Sequence, residues 1–246
     1  MNNLNEKVIL VTGSSRGIGA AIAQSLAEAG AKVIVNYAGG KAEADQTVAA
    51  IKAAGGEAIA LQADVSKPAE VTALFDRAIE HYGRIDVLVN NAGIMITKLL
   101  KDITDEDFTR VFDINVRGTF NTMREAATRL ADKGSIINFS STVTRVIFPA
   151  YSIYNASKAA VEQLTRVFAK EAGGRGINVN SVSPGPTNTE LFTKGKPQQV
   201  MDHLASLSAF NRIGEPADIS KIVVFLAGDE AKWISAQNIV INGGMA

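Results

Sequence analysis

Short runs of β-branched and other apolar residues alternate with longer, Ala-rich amphipathic stretches along almost the whole chain. The runs at 8–11, 32–35, 58–61, 85–89, 135–139, 177–182 and 238–241 predict seven strands, being too short for helices and bounded by polar or glycine-containing turns. Helical periodicity runs from the loop at 13–19 to about residue 29, and again over 42–54, 68–82, 105–130, 151–172 and 216–226. Pro68 and Pro216 suit first helical turns, where the N–H that proline lacks has no partner. Strands apolar on both faces, each followed by a helix, need cover on both sides. The pattern therefore predicts a parallel, seven-stranded, doubly wound α/β fold. No linker rich in proline, glycine or serine, no repeat and no low-complexity tract interrupts it, so a single domain over 1–246 is expected. The main irregular insertion lies at 185–215.

Composition narrows the chemistry. The chain has 246 residues, 46% of them hydrophobic and 20% charged, enough to bury a large core without cross-links. A formal net charge of +0 provides no basic field to gather nucleic acid or an anionic membrane. With no cysteine, thiol catalysis, disulfides and cysteine-ligated metals are excluded. Only His81 and His203 carry imidazoles, so no multi-histidine metal site is possible and no metal is expected. The N-terminal stretch 1–7 is polar and lacks the apolar centre of a signal peptide, and no apolar run reaches membrane-spanning length. A soluble, cytoplasmic chain is expected.

The loop Thr12-Gly13-Ser14-Ser15-Arg16-Gly17-Ile18-Gly19 joins the first strand to the first helix. Its glycines permit a sharp turn, and the helix start offers free N–H groups and a positive dipole end to a pyrophosphate. The spacing G-x-x-x-G-x-G is not the common Rossmann G-x-G-x-x-G, and a tight turn without a ligand is the competing account. A site for NAD places an acid about 20 residues further on. Here the second strand ends Val35-Asn36-Tyr37, and Asn36 would not repel a 2′-phosphate. Arg16 either pairs with that phosphate or is a solvated surface charge. NADP(H) is favoured over NAD(H).

Tyr154-Asn155-Ala156-Ser157-Lys158 opens a helical stretch, and residues four apart share a face, so Tyr154 and Lys158 can reach one site. A nearby ammonium favours the phenolate. Alone, this spacing also fits a surface pair. Ser140-Ser141 follows the fifth strand and Asn90-Asn91-Ala92-Gly93 closes the fourth, at the strand ends where open α/β sheets place ligands. A serine hydroxyl there could hold a substrate oxygen while tyrosine exchanges its proton. Asn115 sits within an apolar helix face, as a packing residue or as part of a polar relay.

With these motifs in order, the sequence resembles a short-chain dehydrogenase/reductase of the compact, Rossmann-type, single-domain kind. The resemblance covers segment 12–19, Asp64-Val65, 90–93, Asn115, Ser141, Tyr154, Lys158, Pro184-Gly185 and segment 212–216. It implies that Tyr154 is general acid in reduction and base in oxidation, and that Ser141 polarises the substrate oxygen. It implies that Lys158 binds the nicotinamide ribose and lowers the tyrosine pKa, and that Asn115 holds a water linking Lys158 to solvent. Ser140 is left as structural. Gly13, Ser15, Arg16, Ile18 and Gly19 would line the pyrophosphate and adenosine side, Asp64 and Val65 the adenine, and Asn91, Ala92 and Gly93 the groove. Pro184, Gly185 and Thr187 would hold the nicotinamide amide. The expected reaction is reversible hydride transfer between NADP(H) and a small-molecule carbonyl or alcohol, with neither nucleic acid nor membrane as partner.

Specificity is expected from 143–151 and from a lid at about 188–211. Leu191, Phe192, Met201, Leu204, Leu207 and Phe210 there either cover the site or pack on the domain. Val146, Ile147 and Phe148 suggest a hydrophobic ketone or aldehyde. The chain also resembles 3-oxoacyl-[acyl-carrier-protein] reductases, through Asn36-Tyr37-Ala38-Gly39 and Asn242-Gly243-Gly244-Met245. The segment 128–134 is shorter and less basic than such reductases usually carry, which favours free small molecules, with Arg129 and Arg175 as a candidate carrier patch. A non-catalytic NADP(H) sensor is the alternative from another class. The resemblance implies a homotetramer, formed through the long helices 105–130 and 151–172 and the C-terminal strand.

Overall fold

The computed structural model describes residues 4–246. Residues 1–3 of the polar N-terminal stretch, and the side chain of Leu191, lie outside the described residues. Seven parallel strands form one sheet: β1 (Val8–Val11), β2 (Lys32–Tyr37), β3 (Glu57–Gln62), β4 (Val87–Asn90), β5 (Ser135–Phe139), β6 (Asn178–Pro184) and β7 (Asn238–Ile241). Their order is β3-β2-β1-β4-β5-β6-β7. The chain winds outward in both directions from the β1/β4 pair, where Ile9, Leu10 and Val11 stand beside Val87, Leu88 and Val89. The strand order reverses there, and such sheets open a crevice at that point beyond the strand carboxyl ends.

Period-two side-chain alternation divides the core between the two faces. Ile9, Val11, Val33, Val35, Val87, Val89 and Ile137 point to one face. Helices α1 (Gly17–Glu28), α2 (Lys41–Ala53) and α9 (Pro216–Ala227) cover it. Val8, Leu10, Ile34, Leu88 and Ile136 point to the other. Helices α3 (Pro68–Tyr82), α5 (Gly118–Arg129) and α6 (Ser152–Ala172) cover that one. Pro68 and Pro216 stand in the first turns of α3 and α9.

The stretch 105–130 is not one helix. It divides into α4 (Asp105–Phe112), a π-helical turn (Asp113–Arg117) and α5. The widened turn inserts an extra residue into the helical ladder between α4 and α5. Thr104 caps α4 with a reciprocal box to Asp107. The insertion at 185–215 carries two short helices, α7 (Glu190–Thr193) and α8 (Gln198–Ser206), and no residue of α8 is buried. Among the described residues, no helix is long and apolar enough to cross a membrane.

Candidate active site

The loops after β1 and β4 are stitched together. Thr12 Oγ1 accepts from the N–H groups of Asn91 and Ala92, each at 3.1 Å. Asn91 Nδ2 donates to the carbonyls of Thr12 and Gly13 at 3.0 and 2.8 Å. This crossing leaves no room for side chains. A Cβ on Gly13 would lie 2.8 Å from Ala92 Cα, and one on Gly19 would lie 2.5 Å from the Gly13 carbonyl oxygen. Gly13 also has φ +60, which favours glycine. Loop packing alone therefore requires both glycines. Ser15 is tied through its carbonyl to Thr47 Oγ1 at 3.0 Å, and Ile18 packs partly buried against the α1/α9 core.

Arg16 is exposed at the start of α1 and forms no salt bridge among the described residues. The first turn of α1 carries no acid and no side-chain cap. A free guanidinium beside open helix N–H groups suits an anion.

Asn36, uncharged where an acid would repel a 2′-phosphate, lies near the end of the second strand beside the glycine loop. It is 1% exposed, and all its polar atoms are engaged inside the fold. Its Nδ2 donates to the carbonyls of Leu61 and Ala63 at 3.2 and 3.1 Å, and its Oδ1 accepts from Gly13 N–H at 3.3 Å. It joins β2 to β3 and to the glycine loop. Asp64 Oδ1 accepts from the N–H and hydroxyl of Ser66 at 3.0 and 2.7 Å. Val65 is buried, and its carbonyl accepts from Asn121 Nδ2 at 2.9 Å.

The chemistry-bearing side chains meet beyond β5. Phe139 ends the strand, and Ser141, in extended conformation, opens a tight turn over Thr142–Thr144. α6 begins at Ser152, which places Tyr154 in its first turn and Lys158 one turn later. The Ser141 side chain lies beside Tyr154, close enough to lower its pKa. Lys158 is 5% exposed, donates to the Phe139 carbonyl at 2.8 Å, and lies with Nζ 5.8 Å from the Tyr154 ring centre.

Burial pushes the Lys158 pKa down to about 8. Burial raises the Tyr154 pKa, and the adjacent Ser141 side chain pulls against that rise.

Asn115 occupies the π-helical turn and is 1% exposed. Its Oδ1 accepts from Ile94 N–H at 2.8 Å, and its Nδ2 donates to the Ile94 carbonyl and Ser157 Oγ at 2.9 and 3.0 Å. Ser157 in turn donates to the Tyr154 carbonyl at 2.7 Å. The side chain thus braces the helix that carries Tyr154 and Lys158, and its polar atoms are engaged with protein. Gly93 faces both groups: a Cβ there would lie 3.2 Å from Asn115 Oδ1 and 3.4 Å from Lys158 Nζ.

Pro184 closes β6, and Gly185 N–H donates to the Ile241 carbonyl at 2.9 Å. A Cβ on Gly185 would lie 2.8 Å from that of Asn242. Thr187 is buried, donates to the Gly185 carbonyl at 2.9 Å and bridges to Gly214.

Ser141, Tyr154, Lys158, Asn115 and Gly93 therefore form one cluster beyond β4 and β5. The glycine loop is joined to it through Asn91 and Ala92, while Asp64-Val65 and Pro184–Thr187 belong to the ends of β3 and β6. Sequence reasoning passed over Thr12, the acceptor that joins the two loops, and Glu162, a carboxylate on α6 that receives the Ser140 hydroxyl at 2.7 Å. Glu162 follows Lys158 by one turn, a spacing that could have drawn attention to it.

The fold is shared with proteins that the chain resembles. The family described as enoyl-(acyl carrier protein) reductase matches residues 13–246. An uncharacterized oxidoreductase of Methylorubrum extorquens is 44% identical, with 100% of each chain covered. A versicolorin reductase of Emericella nidulans is 43% identical, covering 98% of this chain and 96% of its own. The solved structure of angucycline C-6 ketoreductase LanV with bound NADP superposes with a TM-score of 0.94 at 40% identity, covering 99% of this chain and 97% of that one. The chain belongs to the short-chain dehydrogenase/reductase family and is an oxidoreductase of that class.

Proposed function

We propose that the protein uses NADPH to reduce a ketone or aldehyde to an alcohol, with Tyr154 as proton donor. The observation that carries this reading is the convergence of Ser141 and Tyr154 beside the buried Lys158, whose Nζ lies 5.8 Å from the Tyr154 ring centre. The donor set suits the cofactor. The Phe139 carbonyl accepts one hydrogen bond from Lys158, whose ammonium has three N–H groups to give. Gly93 adjoins Lys158 Nζ, and Arg16, exposed at the start of α1, forms no salt bridge among the described residues. Lys158 would hold ribose hydroxyls and Arg16 the 2′-phosphate. Bound there, NADPH supplies the hydride.

Ser141 Oγ–H donates to the substrate oxygen and polarises the carbonyl. Tyr154 gives its phenolic proton to the same oxygen as the carbon is reduced. A raised Tyr154 pKa keeps that proton in place at neutral pH, as reduction requires. Oxidation needs the phenolate, which the nearby Lys158 cation favours. Asn115 and Ser157 hold the first turn of α6 so that the phenol and the ammonium keep their separation.

The approach to the pair is aromatic and apolar. Tyr151 meets Tyr154 edge-on with ring centres 6.3 Å apart, Phe148 lies 5.9 Å from Tyr151, and Ile147 is 81% exposed. The segment 188–211 would cover this mouth. Relatives named as a versicolorin reductase and an angucycline C-6 ketoreductase support a ketone as substrate.

The acyl-carrier reading has less support. Arg129 is paired with Asp76 and Glu125 at 2.6 and 3.0 Å, and Arg175 with Asp132 at 2.8 Å, so neither guanidinium is free for an acidic carrier. A non-catalytic sensor would have no use for the Ser141–Tyr154 pair. A homotetramer belongs to the proposal, supported by exposed Phe108, Phe120 and Val167 on α4, α5 and α6.

The test is consumption of NADPH or NADH with tetralone, simple ketones and aldehydes, and an acetoacetyl thioester. Turnover with NADPH is expected to exceed that with NADH. Tyr154→Phe should lose about 100-fold or more of kcat while NADPH still binds. Undiminished turnover in Tyr154→Phe would remove Tyr154 from its role, and strong preference for the thioester would favour the acyl-carrier reading.

A further inference from the structure

The turn that carries Ser141 is held from both sides by one carboxylate oxygen. Ser140 Oγ and Thr144 Oγ1 each lie 2.7 Å from Glu162 Oε1. An ionised carboxylate only accepts, so both hydroxyls donate to it, and O–H···O⁻ bonds of this length are among the stronger ones in proteins. Ser140 is buried, and Thr144 Oγ1 also lies 3.0 Å from the Ser141 carbonyl. The Ser141 side chain itself has a weak tie to the backbone, accepting from Val143 N–H at 3.4 Å. Its position therefore depends on its neighbours, and both bracketing hydroxyls end on Glu162. Glu162 stands on α6 four residues after Lys158 and eight after Tyr154, on the same side of the helix.

We propose that Glu162 is a positioning residue for the reaction, tying the Ser140–Thr144 turn to the helix that bears Tyr154 and Lys158 and so setting the Ser141–Tyr154 contact. This rests on the role given above to Ser141. Removal of the carboxylate leaves the Ser140 hydroxyl only the Lys158 carbonyl, at 3.4 Å, and leaves the Thr144 hydroxyl only the Ser141 carbonyl within its own turn, at 3.0 Å, so the turn is no longer tied to α6 through Glu162. A glutamine keeps an acceptor oxygen at the same reach.

The experiment compares the wild type, Glu162→Ala, Glu162→Gln and Ser141→Ala. It measures NADPH oxidation with tetralone across pH, and amide hydrogen exchange of the protein alone. Glu162→Ala is expected to lower kcat by about 10- to 100-fold, since misplacement of a catalytic group by about 1 Å costs that order. KM for NADPH should hold, and Glu162→Gln should restore most of kcat. The Ser141 contact lowers the Tyr154 pKa against the larger rise from burial. Loosening it should move the alkaline limb of reduction to higher pH in Glu162→Ala and not in Glu162→Gln. Exchange should quicken over 140–146 and stay unchanged in β5 and α6.

Wild-type kcat with unchanged exchange in Glu162→Ala would overturn the proposal. So would a general quickening of exchange with no displacement of the pH limb, which marks a fold role alone. Undiminished turnover in Ser141→Ala would instead sink the reading of the site. If tetralone is not reduced, the exchange measurement still decides whether the tie exists.

Discussion

Lys158 places an ammonium where the fold would be more stable without one. It is 5% exposed, has the Phe139 carbonyl as a hydrogen-bond partner, and titrates near 8 rather than 10.5 because burial penalises its charge. Between those two pH values the unfolded chain binds the proton that the folded chain has lost. Folding stability therefore rises with pH across this window, and the gain disappears again as pH falls through about 8. At about 1.4 kcal/mol per pKa unit, the burden at neutral pH is on the order of 3 kcal/mol. Lys158→Met removes the titration. The unfolding free energy of the wild type minus that of the variant should rise by up to about 3 kcal/mol from pH 7 to pH 10.5. Denaturant melts at several pH values measure it. A flat difference would mean that the ammonium is solvated. The same variant should lose turnover, so one residue trades stability for chemistry.

Elements are held in register beneath the site by buried amides. Asn90 at the end of β4 donates to Asn138 Oδ1 at 2.8 Å and accepts from Thr122 Oγ1 of α5 at 2.7 Å. Asn138 Nδ2 donates to Thr165 Oγ1 of α6 at 2.9 Å. One network thus joins two strands to the two helices above them. Asn138→Ala leaves the Asn90 donor without its acceptor in a dry core. The expected loss is about 2–4 kcal/mol in urea melts, and a loss below about 0.5 kcal/mol would show that water replaces the amide.

The apolar alternation made the sheet and its helices legible in the sequence. Tyr154, Lys158 and Ser141 were legible too, because helix period and strand ends bring them together without knowledge of the tertiary fold. Asn36 and Asn115 were legible as polar residues in apolar settings, but their partners lie on other elements. The break at 113–117 left no proline or glycine within it to announce it. Glu162 looked like one more charge on an amphipathic helix until Ser140 and Thr144 were seen to converge on it.

At the scale of the whole molecule, the unexplained surface lies on the helices behind the site. α4 packs on α6, and Phe108, Phe120 and Val167 on α4, α5 and α6 remain 47%, 45% and 58% exposed. Phe108 stacks on Phe112 at 4.4 Å, and the Arg124 guanidinium sits 5.3 Å over the Phe120 ring. One exposed aromatic is ordinary, but several on neighbouring helices mark a surface suited to a partner. A second copy of this chain can supply the same apolar face across a two-fold axis, and a chain without net charge does not repel itself strongly. Sedimentation should therefore give at least twice the protomer mass, and four times if the C-terminal strand supplies the second two-fold contact of the proposed tetramer. The paired substitution Phe108→Glu and Phe120→Glu should dissociate the assembly while circular dichroism stays unchanged, because unpaired charges in the interface centre cost several times RT, about 2 kcal/mol or more each. A monomeric wild type would refute the assembly, and an oligomer that resists both substitutions would place its interface elsewhere. The π-helical turn with Asn115 joins α4 to α5, and α6 carries Tyr154, so an interface here would stiffen the helices that hold the site. Dissociation by these distant substitutions should then lower kcat even though neither phenylalanine belongs to the catalytic cluster.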